Sequence, residues 1–250
     1  GAPEDLIIGI ETPSLETTNE LMRQCDLVLA TGGSAMVNAA YSSGTPALGV
    51  GVGNAVVTVD ETADLDFAAQ KIKLSKTLDL AASCSSDNSV ILLDAIYADM
   101  LHKLQSQGGY LCNTKEKTAL QKLLWDRKLH LNPAVVAQPP QKIADMAGFT
   151  IPERVEFFIV AEQGFGTKYP FSGEKLSVIM ALYRATDINH AIELTKNMQF
   201  YQGQGHSCGI YSNSDENIMA MAEKTYTSRV MVNQPQAASN SGNIWNGMRQ

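Results

Sequence analysis

Several common chemistries are missing from this sequence. Its four cysteines, Cys25, Cys84, Cys112 and Cys208, stand far apart with no C-x-x-C pair, which argues against both a zinc site and a disulfide framework; no metal is expected. Basic residues are in deficit, 19 Lys and Arg against 26 Asp and Glu, for a net charge of −7. A broad cationic face for nucleic acid or for an anionic membrane is therefore not expected. No apolar run approaches the ~20 residues that a membrane-spanning helix requires, and no signal-peptide pattern is visible. There is also no internal repeat and no low-complexity linker.

What is present is an alternation of short apolar runs with amphipathic stretches over 250 residues, enough to bury a sizeable core. Leu6–Ile10, Asp26–Ala30, Pro46–Val50, Ala55–Val59 and Val90–Leu93 read as strands, as do Glu156–Ala161, Val178–Tyr183, Ser207–Tyr211 and Arg229–Asn233. Helices are predicted from Ser14 as cap to Gln24, over Ala35–Tyr41 and Leu65–Leu78, and from Asp94 to Gln105. Further ones run from Thr114 as cap to Trp125, over Gln141–Ala147, from Asp187 as cap to Lys196 and from Ser214 as cap to Lys224. Strands alternating with helices predict an α/β fold on a mostly parallel sheet.

One stretch stands out chemically, Lys76-Thr-Leu-Asp-Leu-Ala-Ala-Ser-Cys84-Ser-Ser-Asp-Asn-Ser-Val90. A cysteine between a helix and a strand, among small residues, lets a substrate approach the sulfur and leaves backbone N–H groups free for an oxyanion. Cys84 is the predicted nucleophile, and simple packing is the reading for the other three cysteines. Reduced thiols of this kind fit a cytoplasmic enzyme. His102 and His190 fall on helices and His130 in a loop, where solvated or packed imidazoles are expected.

Three segments precede Cys84 in fixed order: Ala30-Thr-Gly-Gly-Ser-Ala-Met36, Ala39 to Asn54 (ending Leu-Gly-Val-Gly-Val-Gly-Asn) and Val59-Asp-Glu-Thr-Ala-Asp64. Together with Cys84 they resemble the CoA-acylating branch of the aldehyde dehydrogenase superfamily, over nearly the whole chain. That branch includes the aldehyde dehydrogenase half of bifunctional aldehyde–alcohol dehydrogenases and acylating dehydrogenases of succinate semialdehyde or sulfoacetaldehyde. The resemblance implies an aldehyde dehydrogenase-like fold in which residues 1–76 form the later part of a Rossmann-type cofactor domain, its first half lying before Gly1. Residues 77–232 would be the catalytic domain and residues 233–250 a C-terminal loop leading to the rest of the enzyme. An internal piece of a longer, homo-oligomeric protein is the expectation.

The implied reaction is aldehyde + CoA + NAD(P)⁺ to acyl-CoA + NAD(P)H, reversible, through a thioester on Cys84. The cofactor is NAD or NADP and coenzyme A is co-substrate; the aldehyde is small, either anionic or acetaldehyde. The strand–turn–helix at Thr31, Gly32 and Gly33 is expected to bind the cofactor, with backbone N–H groups at a helix N-terminus. Glu174, in Phe171-Ser-Gly-Glu-Lys-Leu-Ser177, matches a family glutamate on the nicotinamide ribose, although Val178 stands where the branch usually has proline. His206 matches a Gly-His pair near the active site and is expected to take the CoA thiol proton. The amides and hydroxyls of Asn233–Gly247 are the expected contacts to an anionic aldehyde.

Hydrolytic members use a glutamate just before the Gly-Asn pair to activate water. Leu48-Gly-Val-Gly-Val-Gly-Asn54 carries no carboxylate, which favours transfer to CoA over hydrolysis. Three alternatives stay open: a hydrolytic aldehyde dehydrogenase, a glutamyl phosphate reductase-like enzyme, told apart by phosphate-dependent turnover, and a non-catalytic assembly fragment, told apart by an unreactive Cys84.

Overall fold

The most apolar runs of the chain, Val56–Val59 and Ser89–Leu93, are buried at every position. That is the pattern of strands covered on both faces in a parallel sheet, where helical crossovers coat each side. The computed structural model describes residues 1–240 and 242 and divides the chain into two units, residues 1–52 and 53–250.

The smaller unit holds α1 (Leu15–Gln24), β1 (Val28–Thr31), α2 (Ser34–Tyr41) and β2 (Ala47–Val50). β1 and β2 run parallel, with Val28 beside Ala47 and Thr31 beside Val50. Ser14 caps α1 by accepting the Thr17 N–H at 3.0 Å. Met22, Val28, Ala30 and Ala40 make its small core. Leu6–Ile10 is not a strand: it pairs with neither β1 nor β2, and Leu6, Ile7 and Ile8 are exposed. Its apolar pattern suits a sheet, but without a neighbour to accept its backbone bonds the pattern alone does not make one.

The larger unit is a seven-stranded parallel sheet in the order β5-β6-β7-β4-β3-β8-β9. The strands are β3 (Val56–Val59), β4 (Ser89–Leu93), β5 (Gly109–Leu111), β6 (Phe157–Ala161), β7 (Ile179–Ala185), β8 (Gly205–Tyr211) and β9 (Thr227–Val232). Helices α3 (Leu65–Thr77), α4 (Tyr97–Ser106), α5 (Thr114–Leu124), α6 (Pro140–Ala147), α7 (Ile188–Tyr201), α8 (Asp215–Lys224) and α9 (Gln236–Ser239) connect or flank them. β3 is central, held by β4 on one side and β8 on the other. Residues 53–76, grouped by the sequence pattern with the cofactor part, pack in this unit.

Three local predictions change. The cap of α5 is Asn113, not Thr114: its Oδ1 accepts the Lys115 and Glu116 N–H groups while Glu116 Oε2 accepts the Asn113 N–H, a reciprocal capping box. Helix α7 runs past Lys196 to Tyr201, because Met198 and Gln199 continue its buried face. The short strand β5 was not legible, since Gly109-Tyr-Leu111 has no periodicity to show. Among the described residues no helix is long and apolar enough to cross a membrane.

Candidate active site

Cys84 sits on the loop between α3 and β4. The path to it is strained: Asp79, Leu80 and Ala81 all have left-handed φ values of 48°, 52° and 59°. This conformation costs L-residues roughly 1–2 kcal/mol each. Bonds on either side hold the loop in place, Ser86 N to Ser83 O at 3.1 Å and Asp87 N to Ser75 Oγ at 3.2 Å, the latter tying it back to α3. Cys84 itself is exposed.

Four adjacent strands, β7, β4, β3 and β8, begin around this point. The loops entering the first three carry, in that order, Glu174, Cys84 and Gly53 with Asn54, and His206 is the second residue of β8. The cluster therefore lies at the amino ends of the central strands. The usual ligand crevice of open α/β sheets is at the opposite, carboxyl ends.

His206 Nε2 is 3.3 Å from Cys84 Sγ, and its Nδ1 is 3.1 Å from Ser207 Oγ. The turn that delivers it needs glycine twice, with φ of 87° at Gly203 and 85° at Gly205. Burial pushes the imidazole below its ordinary value. Burial, and then the Glu174 carboxylate, push the Cys84 thiol up, against the pull of its own backbone N–H. The pair is accordingly a neutral thiol facing a neutral imidazole near pH 7.

Gly53 explains how closely the loops meet. A Cβ there would lie 2.7 Å from Cys84 O, 2.8 Å from Cys84 Cβ and 3.0 Å from Glu174 Oε1. The latter two atoms share that point, so no more than 5.8 Å separates them. Burial pushes Glu174 up to about 7, opposed by the Gly53 N–H and by the ammonium groups of Lys175 and Lys76. Its Oε1 is buried with no hydrogen-bond partner.

Two buried amides fix the Glu174 loop. Asn54 Nδ2 donates to Ser172 O at 2.8 Å and to Met198 O at 3.2 Å. Asn88 Nδ2 donates to Asn54 Oδ1 and to Gly173 O, both at 2.6 Å. Gln202 Oε1 accepts the Glu174 N–H at 2.9 Å.

Of the residues predicted from sequence, Cys84, His206 and Glu174 are brought together in the larger unit. Thr31, Gly32 and Gly33 form the β1–α2 turn of the smaller one, where Gly32 N donates to Val50 O at 3.0 Å. Gly33 caps α2 without a side-chain hydrogen bond, and a Cβ on it would meet nothing within 4 Å. Of the other cysteines, Cys112 and Cys208 are buried and Cys25 half-buried. Within Asn233–Gly247, residues 241 and 243–247 lie outside the described residues. Three amides before them are engaged internally: Asn233 with Ser212, Asn240 with Ser207 and Gln236 with Asp87.

Sequence reasoning missed Lys76, Asp87 and Lys175, all fully buried or nearly so. Lys76 was detectable. It stands four residues after Ile72 and seven after Ala69, on the buried face of α3.

A thiol with an imidazole in contact and a carboxylate nearby, on a parallel α/β sheet, is an arrangement chemically able to support acyl transfer through sulfur. No family model matches the chain. It is 43% identical over 254 residues to the acylating sulfoacetaldehyde dehydrogenase of Cupriavidus necator, covering 99% of this chain and 51% of that protein. An acetylating aldehyde dehydrogenase from Geobacillus thermoglucosidasius has the same fold, with a TM-score of 0.94 and 38% identity over 98% of this chain and 55% of that one. A propionaldehyde dehydrogenase from Rhodopseudomonas palustris, solved with bound propionyl-CoA, superposes with a TM-score of 0.87 and 26% identity, covering 97% and 54% of the two chains. Over nearly its whole length the chain is similar to CoA-acylating members of the aldehyde dehydrogenase superfamily. It spans about half the length of the curated relatives it matches.

Proposed function

We propose that the protein carrying this chain is an NAD(P)-dependent, CoA-acylating aldehyde dehydrogenase acting on a small aldehyde, with Cys84 as nucleophile. The observation that carries the reading is the 3.3 Å contact of His206 Nε2 with Cys84 Sγ; in the sequence, Leu48–Asn54 supplies no carboxylate to activate water.

The Cys84 thiol passes its proton to His206 Nε2, 3.3 Å away, and on to solvent as the sulfur adds to the aldehyde carbon, forming the alkoxide of a thiohemiacetal. Its backbone N–H is placed to meet the developing oxyanion. Hydride loss to a bound nicotinamide would leave Cys84 carrying the acyl group as a thioester. His206, neutral and no longer engaged by a thiol proton, accepts the proton of the CoA thiol as its sulfur attacks. Acyl-CoA leaves and the Cys84 sulfur is released. In the larger unit, Glu174 Oε1, buried with no hydrogen-bond partner, would accept a ribose hydroxyl of the cofactor. The relatives named for sulfoacetaldehyde and propionaldehyde favour a short aldehyde, and an anionic one is the narrower reading.

The half-reaction run backwards tests it. Acyl-CoA added without nicotinamide should transfer its acyl group to Cys84 Sγ and release free CoA. Mass spectrometry should find the acyl mass on the Cys84 peptide alone, and none in Cys84→Ala. Acylation absent from Cys84, or unchanged in that variant, would overturn the assignment.

A further inference from the structure

The imidazole of His206 is held at both of its nitrogens. Nε2 lies 3.3 Å from Cys84 Sγ, and Nδ1 lies 3.1 Å from Ser207 Oγ. Ser207 Oγ in turn accepts the Asn240 Nδ2–H at 2.8 Å. Thiol, imidazole, hydroxyl and amide thus form one chain of contacts. Ser207 is 1% exposed and Asn240 half-buried, so this hydroxyl is set by the protein and not by bulk water.

Each member is anchored independently. The His206 N–H donates to Gly203 O at 3.1 Å, and His206 O accepts from Ser228 Oγ at 2.5 Å. Ser207 O accepts from Gln199 Nε2 at 3.2 Å. Asn240 follows α9, and α9 is fastened to the loop that carries the sulfur. Ala237 N and Asp87 N share Ser75 Oγ, at 3.1 and 3.2 Å, and Gln236 Nε2 donates to Asp87 Oδ1 at 2.7 Å. The loop of Cys84 and the amide of Asn240 therefore belong to one framework.

A hydroxyl has one proton and two acceptor sites, and a neutral imidazole has one N–H and one lone pair. Asn240 occupies one acceptor site of Ser207. If the hydroxyl gave its proton to Nδ1, the ring's own proton would sit on Nε2, and Nε2 could take nothing from a thiol. If Ser207 Oγ accepts from Nδ1–H instead, the Nε2 lone pair faces the sulfur. That second bond also persists when Nε2 becomes protonated, because Nδ1 keeps its hydrogen throughout. Only this arrangement serves a base at Nε2.

We propose that Ser207 is a positioning residue: its oxygen, held by the Asn240 amide, accepts the His206 Nδ1–H and keeps Nε2 the basic nitrogen against the Cys84 sulfur. The consequence for turnover rests on Cys84 and His206 acting as nucleophile and base; the tautomer itself does not.

Alkylation of Cys84 by iodoacetamide at pH 7, followed on the intact protein by mass spectrometry of the Cys84 peptide, reads the base without any turnover. Ser207→Thr and Ser207→Val add similar bulk and differ in the hydroxyl. Ser207→Thr should react near the wild-type rate and Ser207→Val roughly tenfold more slowly, the tautomer shift of one lost hydrogen bond. Asn240→Ala should slow the reaction in the same direction by less. In a His206→Ala background neither Ser207→Val nor Asn240→Ala should have a further effect. Equal rates for the Thr and Val variants would overturn the proposal. A faster Val variant would also overturn it, since Ser207 would then have been holding the Nε2 proton on the sulfur. Should the Ser207 variants not fold, ¹⁵N-histidine NMR of the wild type gives the tautomer directly, with the His206 signals assigned by their loss in His206→Ala. The proton is expected on Nδ1, and a proton on Nε2 would contradict the assignment. If acyl-CoA fails to acylate Cys84 while these results appear, the functional reading fails and the positioning of the ring stands.

Discussion

His206 Nε2 lies 3.3 Å from Cys84 Sγ although 122 residues separate them in the chain. Both groups are pushed toward neutrality, the imidazole by burial and the thiol by burial and by Glu174. The histidine is therefore an available base, not one already protonated by its neighbour. This bears on acyl release, because a CoA thiol, with a pKa on the order of 8–9 by analogy with cysteine, is mostly protonated near neutrality.

His206→Ala should slow the CoA-dependent step by about 10²-fold, in the range of a lost general base. The loss should be greater at low pH, where little CoA thiolate forms unaided. Because burial lowers the imidazole's value, the wild-type rate should hold to below the ordinary ~6.5 before it falls. Stability follows the same sign. The unfolded chain binds this proton first, so the contribution of a neutral His206 is present above about 6.5. It is lost as the pH falls through the lowered folded value. His206→Gln should flatten that acid limb of Tm.

Gly53→Ala should lower turnover by about 10²-fold while the protein still folds. The added Cβ would sit 2.7 Å from Cys84 O and 2.8 Å from Cys84 Cβ. The cysteine loop must therefore shift, and a displacement on the order of 1 Å at reacting groups costs about 10²-fold. Gly51→Ala, whose Cβ meets nothing within 4 Å, is the control and should retain most of the activity. Equal activity in the two variants would mean that the close approach at Gly53 does not position the sulfur.

Asn88→Ala should destabilise the larger unit by roughly 2–4 kcal/mol. It leaves Asn54 Oδ1 without its donor in a buried place and removes one of the two donors to Gly173 O, the other being Lys175 Nζ. Denaturant unfolding gives the stability, and cofactor titration should show weaker binding as the Glu174 loop loosens. Asn113→Ala, which breaks the α5 capping box, should cost about 1 kcal/mol and leave cofactor binding unchanged.

Most strands and helices could be read from apolar runs and caps, because the central strands are buried on both faces and the caps at Ser14, Asp187 and Ser214 accept their N–H groups as expected. Leu6–Ile10 failed for want of a partner, which composition cannot supply. Cys84, His206 and Glu174 were each marked by local motif, but their meeting depends on the sheet order that sets β7, β4, β3 and β8 side by side. The buried charged residues Asp87, Lys76 and Lys175 were the least legible part. Charged side chains read as solvated, and only the position of Lys76 on the apolar face of α3 signalled otherwise.

The central claim is that an acyl group on Cys84 waits for coenzyme A because Leu48–Asn54 supplies no carboxylate to activate water. Rapid mixing of the whole protein with aldehyde and NAD(P)⁺, without CoA, tests it most directly. One burst of NAD(P)H per Cys84 followed by near silence is expected, with steady turnover restored on adding CoA, and no burst in Cys84→Ala. Sustained turnover in water alone would contradict the account and make the enzyme hydrolytic.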